Sequence, residues 1–183
     1  HSMVEYACED ISGVSSSQVE MNADLQFYDN ISTDEIQKIL IKSASDLISL
    51  DNPNYTYVAS RLLLFSLRKG IFHKLWDHPH FYDHVKRIVN IGLYDKEIMA
   101  DYNRSEFDRM EYWIKHDRDY DFTYAGLRQV IDKYLVQDRS TGVLYETPQF
   151  MYMMISAVLF SKYSKNKRMS YVKKYYDAIS QFK

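Results

Sequence analysis

Histidine and acidic side chains are the groups whose spacing in this sequence could bind a metal ion. Four of the six histidines stand within one short segment: His73, His78, His80 and His84. His80 and His84 are four residues apart and could share one face of a helix, with Asp77 and Asp83 close by. Zinc requires ligands that converge, whereas His78-Pro79-His80 follows a loop pattern. We therefore interpret these histidines as capping or solvated residues and predict no metal site.

The adjacent His116-Asp117 pair is a second candidate metal site. In a helical protein this pair resembles the HD phosphohydrolases, where it holds a metal ion that activates water. Such a site needs a further histidine and aspartate, for which His84 and Asp132 could serve. Because a two-residue motif arises easily by chance, we interpret residues 116–119 as a helix end with local ion pairs.

Cysteine and tyrosine are the residues that could carry redox or radical chemistry, and their numbers in this sequence differ greatly. Cys8 is the single cysteine, so this chain alone can form no intrachain disulfide and perform no dithiol reaction, which suits the cytoplasm. The 17 tyrosines are numerous, and several of them fall inside helical patterns: Tyr55, Tyr57, Tyr152 and Tyr175. We interpret them as half-buried packing residues rather than radical carriers, and we predict no catalytic residue in this chain.

Composition excludes several classes of partner. The hydrophobic fraction of 46% and the charged fraction of 26% are those of an ordinary globular protein, and only 5 glycines and 3 prolines interrupt it, which favours helices. A net charge of −2 argues against a nucleic-acid partner, because no excess of cations is available to replace phosphate counterions. No apolar stretch is long enough to span a membrane.

The local patterns predict a mainly α protein with one short β-hairpin. Ser32 and Glu35 have the spacing of a capping box, and the helical spacing behind them continues to about Leu50. Similar patterns predict a helix end near Met3–Asp10, a helix opened by a capping box at Ser17–Glu20, and six further helices: Asn52-Pro53 to Gly70, 81–91, 104–115, 124–133, Thr147-Pro148 to 160, and 167–181. Residues 150–160 are apolar nearly all round and are expected to be buried centrally. The hairpin is predicted from Tyr134–Gln137 and Val143–Tyr145, with a five-residue connection.

Longer sequence strings resemble a known family in collinear order along essentially the whole chain. The earlier strings are Gln26-Phe27-Tyr28-Asp29, Ile41-Lys42-Ser43-Ala44 and Leu67-Arg68-Lys69. The later ones are Tyr82-Asp83-His84-Val85, Phe122-Thr123-Tyr124-Ala125-Gly126 and Tyr145-Glu146-Thr147-Pro148-Gln149-Phe150. The chain is identified as a member of the class I ribonucleotide reductase large (alpha) subunits, as an N-terminal fragment. The resemblance implies a helical bundle at residues 1–71, a partial ATP-cone lacking its N-terminal β lid. An all-α reductase N-terminal domain, which precedes the catalytic barrel, would follow at residues 72–183.

The resemblance also implies what the parent protein does. The family reduces ribonucleoside diphosphates to deoxyribonucleotides for DNA synthesis, as an alpha homodimer that works with a radical-generating beta subunit. Its catalytic cysteines lie on the barrel, in the remainder of the alpha subunit, and Cys8 matches none of them. We therefore expect the fragment alone to be inactive.

The cone resemblance assigns an ATP or dATP effector site to five residues: Thr33, Ile36, Gln37, Phe65 and Lys69. Lys69 would pair with phosphate, Thr33 would bond a polar part of the nucleotide, and the two apolar residues would line the pocket. The family usually has histidine where this chain has Gln37 and Ser66, which bears on the response to dATP. Because most phosphate contacts of the family come from the missing lid, we expect no tight nucleotide binding by the fragment.

An alternative function is a helical protein-interaction module that binds no nucleotide. The family uses its cone in subunit contacts. Removal of the barrel would also be expected to leave an apolar face exposed. The sequence alone leaves both functions open.

Overall fold

The computed structural model describes residues 2–182 and confirms a mainly α fold with one small hairpin. The helices are α1 (Ser2–Cys8), α2 (Ser16–Asp24), α3 (Thr33–Asp46), α4 (Tyr55–Phe72), α5 (Phe81–Asn90), α6 (Glu97–Asp101), α7 (Arg104–Trp113), α8 (Tyr124–Lys133), α9 (Pro148–Phe160) and α10 (Lys165–Ser180). A 3-10 helix spans His116–Asp121, and strands β1 (Gln137–Asp138) and β2 (Val143–Leu144) form the hairpin. No helix within residues 2–182 has the length and apolarity needed to cross a membrane.

The chain divides into two compact units, and each is built from two segments of sequence. The first contains the chain up to Lys69 together with Tyr120–Tyr134. The second contains Gly70–Asp119 and the chain from Leu135 onward. The division into a partial cone at 1–71 and a helical domain at 72–183 stays a prediction about family domains.

The first residues of α2 and α3 in the first unit show when a local sequence pattern is enough to predict the start of a helix. At α3 the capping box is confirmed, since Ser32 Oγ accepts from the Glu35 backbone N–H at 3.2 Å and Glu35 Oε2 accepts from the Ser32 N–H at 3.2 Å. The capping box at Ser17 was wrong, because the N-cap of α2 is Ser15. The backbone N–H of Ser15 donates to the Tyr55 hydroxyl at 3.0 Å, so a residue distant in sequence determines this turn.

The predicted start of α4 at Asn52-Pro53 was also wrong. The carbonyl of Pro53 accepts from the Thr56 N–H at 3.1 Å, so the chain makes a turn before the helix begins at Tyr55. The Asn54 side chain donates to the Ser12 carbonyl at 2.9 Å and fixes that turn. The side chain that anchors the turn is therefore Asn54.

The second unit has a continuous core formed by α5, α7, α9 and α10. Its fully buried side chains are Phe81, Val85, Phe107, Met110, Phe150, Met153, Ala157, Val172 and Tyr176. The predicted end of α5 is confirmed, since Gly92 follows it with a φ of +78°, a left-handed conformation that favours glycine. The helices of this core also supply members of the buried polar clusters described below.

Helix α9 is only partly buried, which corrects the expectation of a central helix. Phe150, Met153 and Ala157 are fully buried, whereas Ile155, Val158 and Leu159 are 44%, 53% and 52% exposed. The apolar sequence would allow α9 to be buried on every side, but the second unit packs against only one of its faces. The second face of α9 remains an exposed apolar surface.

The hairpin and the short helices mark the limit of sequence patterns. Asp138 pairs with Val143, so the hairpin connection has four residues instead of the five predicted. The Asp138 carboxylate accepts from the Ser140 N–H at 2.8 Å, and Gly142 has a φ of +74°. Helix α6 and the 3-10 helix were not predicted, because segments of 5 and 6 residues are too short to show a period.

Candidate functional sites

The five predicted effector residues lie on two helices of the first unit. Thr33 is the exposed first residue of α3, and Ile36 and Gln37 follow one turn later. Phe65 and Lys69 are one turn apart on α4, with the half-buried Lys69 in the last part of that helix. The structure thus separates the set into an α3 group and an α4 group.

Gln37 provides the observation that fits a polar ligand. Its side chain is only 7% exposed, and its Nε2 has no hydrogen-bond partner among residues 2–182. A buried amide without a partner costs about 1–3 kcal/mol unless water or a ligand satisfies it. Thr33, one turn before it, adds an exposed hydroxyl at the N-terminus of α3, where the helix dipole favours an anion.

Phe65 has the surroundings of a core residue. It is 0% exposed, and its ring contacts Tyr6 and Tyr120 with ring centroids at 5.8 Å and 6.4 Å. Neither tyrosine was singled out from the sequence, and Tyr120 could not have been found by local patterns because it joins this unit from a segment more than 50 residues beyond Lys69. The nucleotide assignment of the five residues stays a prediction, with Gln37 as its best-supported member.

The histidine segment of the second unit does not converge on one point. The His80 Nδ1 accepts from the Tyr82 N–H at 3.1 Å, and the His80 ring lies 3.3 Å from an Asp108 oxygen, so His80 caps α5 as predicted. The interpretation of His84 as a capping or solvated residue was wrong, because His84 is completely buried and its ring stacks on Phe150 at 4.3 Å. Within residues 2–182 no group of three or more His, Cys, Asp or Glu side chains could hold a metal ion.

The His116-Asp117 pair is divided between two environments. The His116 ring lies 3.7 Å from the His78 ring, whereas Asp117 is exposed on the 3-10 helix. Asp132, the other residue considered for this site, pairs with Arg128 on α8 at 3.3 Å. The acidic residue of the run that turns inward is Asp119, which is 0% exposed.

A buried cluster of His84, Tyr94 and Glu146 was not predicted from the sequence. The Tyr94 hydroxyl donates a short hydrogen bond to Glu146, and the Val136 N–H donates to the same carboxylate at 2.9 Å. His84 Nε2 lies 3.4 Å from the Tyr94 oxygen. No single motif marks this cluster, since its members come from α5, a loop and the segment after the hairpin.

Burial sets the protonation states in this cluster. Desolvation lowers the pKa of His84 to about 3, so its imidazole is neutral near pH 7. Burial also raises the pKa of Glu146, although the bonds from Tyr94 and Val136 oppose that change. The pKa of Tyr94 lies well above its usual value, through burial and the adjacent carboxylate. Through these hydrogen bonds the cluster joins α5 to the segments on either side of the hairpin.

A second buried chain of hydrogen bonds fixes the 3-10 helix. The Gln149 side chain donates through Nε2 to the Asp119 carboxylate at 2.9 Å, and its Oε1 accepts from the Tyr176 hydroxyl at 2.6 Å. The Lys115 backbone N–H then donates to the Tyr176 hydroxyl at 2.8 Å. This chain connects α9, α10 and the end of α7, and it positions the residues that precede Asp119.

Comparison with known proteins gives consistent matches along the chain. Residues 120–183 match the family described as "Ribonucleotide reductase, all-alpha domain". The whole chain is 48% identical to the ribonucleoside-diphosphate reductase subunit alpha of Haemophilus influenzae and 46% identical to ribonucleoside-diphosphate reductase 1 subunit alpha of Escherichia coli. A segment of 170 residues, 92% of the chain, is 41% identical to the alpha subunit of Enterobacteria phage T4, of which it covers 22%.

These relatives are much longer than the chain. It spans 24% of the length of the Haemophilus and Escherichia proteins, in their N-terminal part. The matched region covers the whole chain and therefore the segments that hold the capping box of α3 and both buried polar clusters. We conclude that this chain belongs to the ribonucleotide reductase alpha-subunit family, as an N-terminal fragment.

Proposed function

We propose that the parent protein of this chain is a ribonucleoside-diphosphate reductase that converts ribonucleotides to deoxyribonucleotides. The identity of 48% over all 183 residues carries this proposal. Replacement of a ribose 2′-hydroxyl requires thiols as electron donors, and Cys8 is the one cysteine of the chain. We therefore assign this piece a regulatory and scaffold role and expect no reductase activity from it alone.

The partners of the piece follow from the same proposal. The first partner is the remainder of the alpha subunit, and the others are a second alpha subunit and a radical-generating beta subunit. The exposed α9 residues Ile155, Val158 and Leu159 supply an apolar surface for the remainder of the subunit. A cytoplasmic location is part of this proposal, and it is supported by a chain that can form no intrachain disulfide.

A reconstitution experiment tests the proposed reductase function. The chain is mixed with the remaining C-terminal part of its parent subunit and with the beta subunit, and reduction of cytidine diphosphate is measured. We expect no turnover from the chain alone and turnover from the mixture. Val158→Asp is expected to weaken reconstitution by about tenfold or more, because it places a charge in a desolvated contact. Lys167→Ala, on the exposed start of α10, is the matched control.

The same experiment separates the reductase proposal from its alternative. If the mixture stays inactive while the intact subunit works, the chain is only a helical interaction module. If Val158→Asp reconstitutes as well as Lys167→Ala, the exposed face of α9 is not the surface that meets the rest of the subunit.

We also propose that the first unit carries a residual effector site for ATP or dATP. Gln37 with its unpartnered amide, Thr33 at the start of α3 and Lys69 on α4 are the polar groups that support it. Ile36 is half-buried and precedes Gln37 on α3, and Phe65 is a fully buried residue of α4. The intact cone would hold the nucleotide with contacts that this piece lacks.

Calorimetric titration with ATP and with dATP tests the residual site. We expect weak heats with a Kd near the millimolar range, about 4 kcal/mol of binding free energy, because few phosphate contacts remain. Lys69→Ala should remove the part of the heat that comes from this site, whereas Lys167→Ala should preserve the whole signal. A heat that Lys69→Ala leaves unchanged would remove the regulatory role from this fragment, and micromolar binding that Lys69→Ala weakens would contradict the expected loss of affinity.

A further inference from the structure

An open groove in the second unit is lined by cations and aromatic rings. It encloses about 680 Å³, within the range of small-molecule sites. The groove lies between the end of α7 with the 3-10 helix and the C-terminal half of α10, and we call it the α7–α10 groove. Its lining residues are Tyr112, Trp113, Lys115, Arg118, Lys173, Lys174, Asp177, Ala178 and Gln181.

The charges of the α7–α10 groove do not balance. Asp177 is its one carboxylate, and it already accepts from Arg118 at 3.0 Å and from Lys173 at 2.7 Å. Within residues 2–182, neither Lys115 nor Lys174 pairs with a carboxylate. Two ammonium groups are therefore available to neutralise a bound anion, although the chain as a whole is slightly acidic.

The floor of the groove is held in place before any ligand binds. The Lys115 backbone N–H is held by its hydrogen bond to the fully buried Tyr176, whose hydroxyl is part of the series of hydrogen bonds that joins Asp119, Gln149 and Tyr176. Arg118 Nη1 donates to the Ser180 hydroxyl at 2.5 Å, and its guanidinium lies 5.4 Å from the Tyr176 ring centroid. A site whose backbone and central cation are already ordered loses little conformational entropy on binding.

Two aromatic rings at the groove provide a flat apolar contact. Tyr112 is 79% exposed, and the half-buried Trp113 follows it at the end of α7. The Lys115 ammonium lies 5.4 Å from the Tyr112 ring centroid, so a cation and an exposed aromatic ring stand side by side. This pairing suits a ligand that joins a flat ring to an anionic group.

We propose that the α7–α10 groove binds a nucleotide, with its phosphates at Lys115 and Lys174 and its base against Tyr112 and Trp113. This site lies in the second unit and shares no residue with the effector site proposed in the first. The proposed binding is non-covalent and requires no metal ion. The groove would give the chain a nucleotide contact independent of the residual cone.

Tryptophan fluorescence tests this site directly. Both tryptophans, Trp76 and Trp113, lie in the second unit, so a Trp76→Phe chain leaves Trp113 in the groove as the reporter. Titration with ADP is expected to change its emission with a Kd at or below about 1 mM. Pyrophosphate should bind more weakly than ADP, because it offers no ring, and adenosine should give no saturable change.

Variants at exposed positions separate phosphate recognition from ring recognition. Lys115→Ala and Lys174→Ala should each weaken ADP and pyrophosphate by about tenfold, the effect of losing one charge-assisted contact. Tyr112→Ala should weaken ADP while leaving pyrophosphate unchanged. Lys167→Ala on the same helix and Lys69→Ala in the first unit should change neither titration.

The outcomes decide the proposal in each direction. Absence of a saturable response to ADP overturns it, and so does equal weakening by Lys167→Ala and Lys174→Ala, which would indicate general attraction of anions. Loss of the Trp113 response in Lys69→Ala would assign the nucleotide to the cone residues instead. If Lys69→Ala leaves the calorimetric heat unchanged, the residual effector site fails while the groove result stands, because the Trp113 reporter is local.

Discussion

Replacing Arg168 with alanine is expected to destabilise the second unit by about 3–5 kcal/mol, the cost of breaking a buried ion pair. Arg168 and Glu106 are 3% and 8% exposed, and two guanidinium nitrogens contact the carboxylate at 2.6–2.9 Å. Arg168 also donates to the Ser161 carbonyl at 3.2 Å and lies 4.3 Å from the Tyr102 ring centroid. The variant would leave a carboxylate in the interior with no cation to balance it.

Urea unfolding, followed by the fluorescence of the two tryptophans of this unit, measures the effect of Arg168→Ala. Arg104→Ala is the matched control, because its pair with Asp108 is 2.9 Å long but more than half exposed on each side, and it should cost less than about 1 kcal/mol. The double variant Arg168→Met with Glu106→Gln should recover most of the loss, since the substituted amide would still cap α7 without carrying a charge. A loss in Arg168→Ala no larger than the control would show that the buried pair is not what stabilises this unit.

Acidification is expected to destabilise the second unit through His84. Burial lowers its pKa in the folded chain to about 3, whereas an unfolded histidine titrates near 6.5. Between these two values the unfolded state binds a proton that the folded state excludes. The contribution is therefore fully present above about pH 6.5 and is lost as the pH falls toward 3, by up to about 1.4 kcal/mol per pH unit.

Unfolding free energies measured at several pH values test the role of His84. The raised pKa of Glu146 acts in the opposite direction, because a folded carboxyl that binds its proton early gains stability on acidification. His84→Phe keeps a ring against Phe150, and its pH slope should be smaller than that of the natural sequence while Glu146 is present in both. His73→Asn serves as control, since His73 is exposed and its φ of +57° suits asparagine. Equal slopes in the natural chain and His84→Phe would contradict the assignment.

The parts of the fold that follow from short-range chemistry were predictable from sequence. The capping box of Ser32 and Glu35 and the helix over residues 124–133 depend on residues within one turn of each other, and both are confirmed. The start of α2 was not predictable, because Tyr55 satisfies the Ser15 N–H from a distance of 40 residues. The exposed face of α9 was missed for a related reason. The apolar sequence of a helix indicates which residues can be buried, but it does not show how many faces of the helix the rest of the unit covers.

The candidate sites divide in the same way. A family resemblance could name Gln37, but only the fold shows that its amide is buried without a partner. The resemblance also could not show that the Phe65 ring contacts both Tyr6 and Tyr120. The cations of the α7–α10 groove are ordinary surface residues in the sequence. They become a candidate site because the fold places Lys174 of α10 and Lys115 in the lining of the same groove.

The two-segment composition of the first unit has a consequence for folding and for truncation. A chain ending at residue 71 would lack Tyr120 against Phe65 and the bond from the Tyr124 N–H to the Thr56 hydroxyl at 3.0 Å. During synthesis this unit can close only after the intervening 50 residues, Gly70–Asp119, have left the ribosome. Closing a loop of that length costs entropy, which residues 120–134 must offset through the contacts they make on arrival. The first unit is thus completed only after residue 134 has emerged, and the second unit, whose last segment begins at Leu135, can be completed only later.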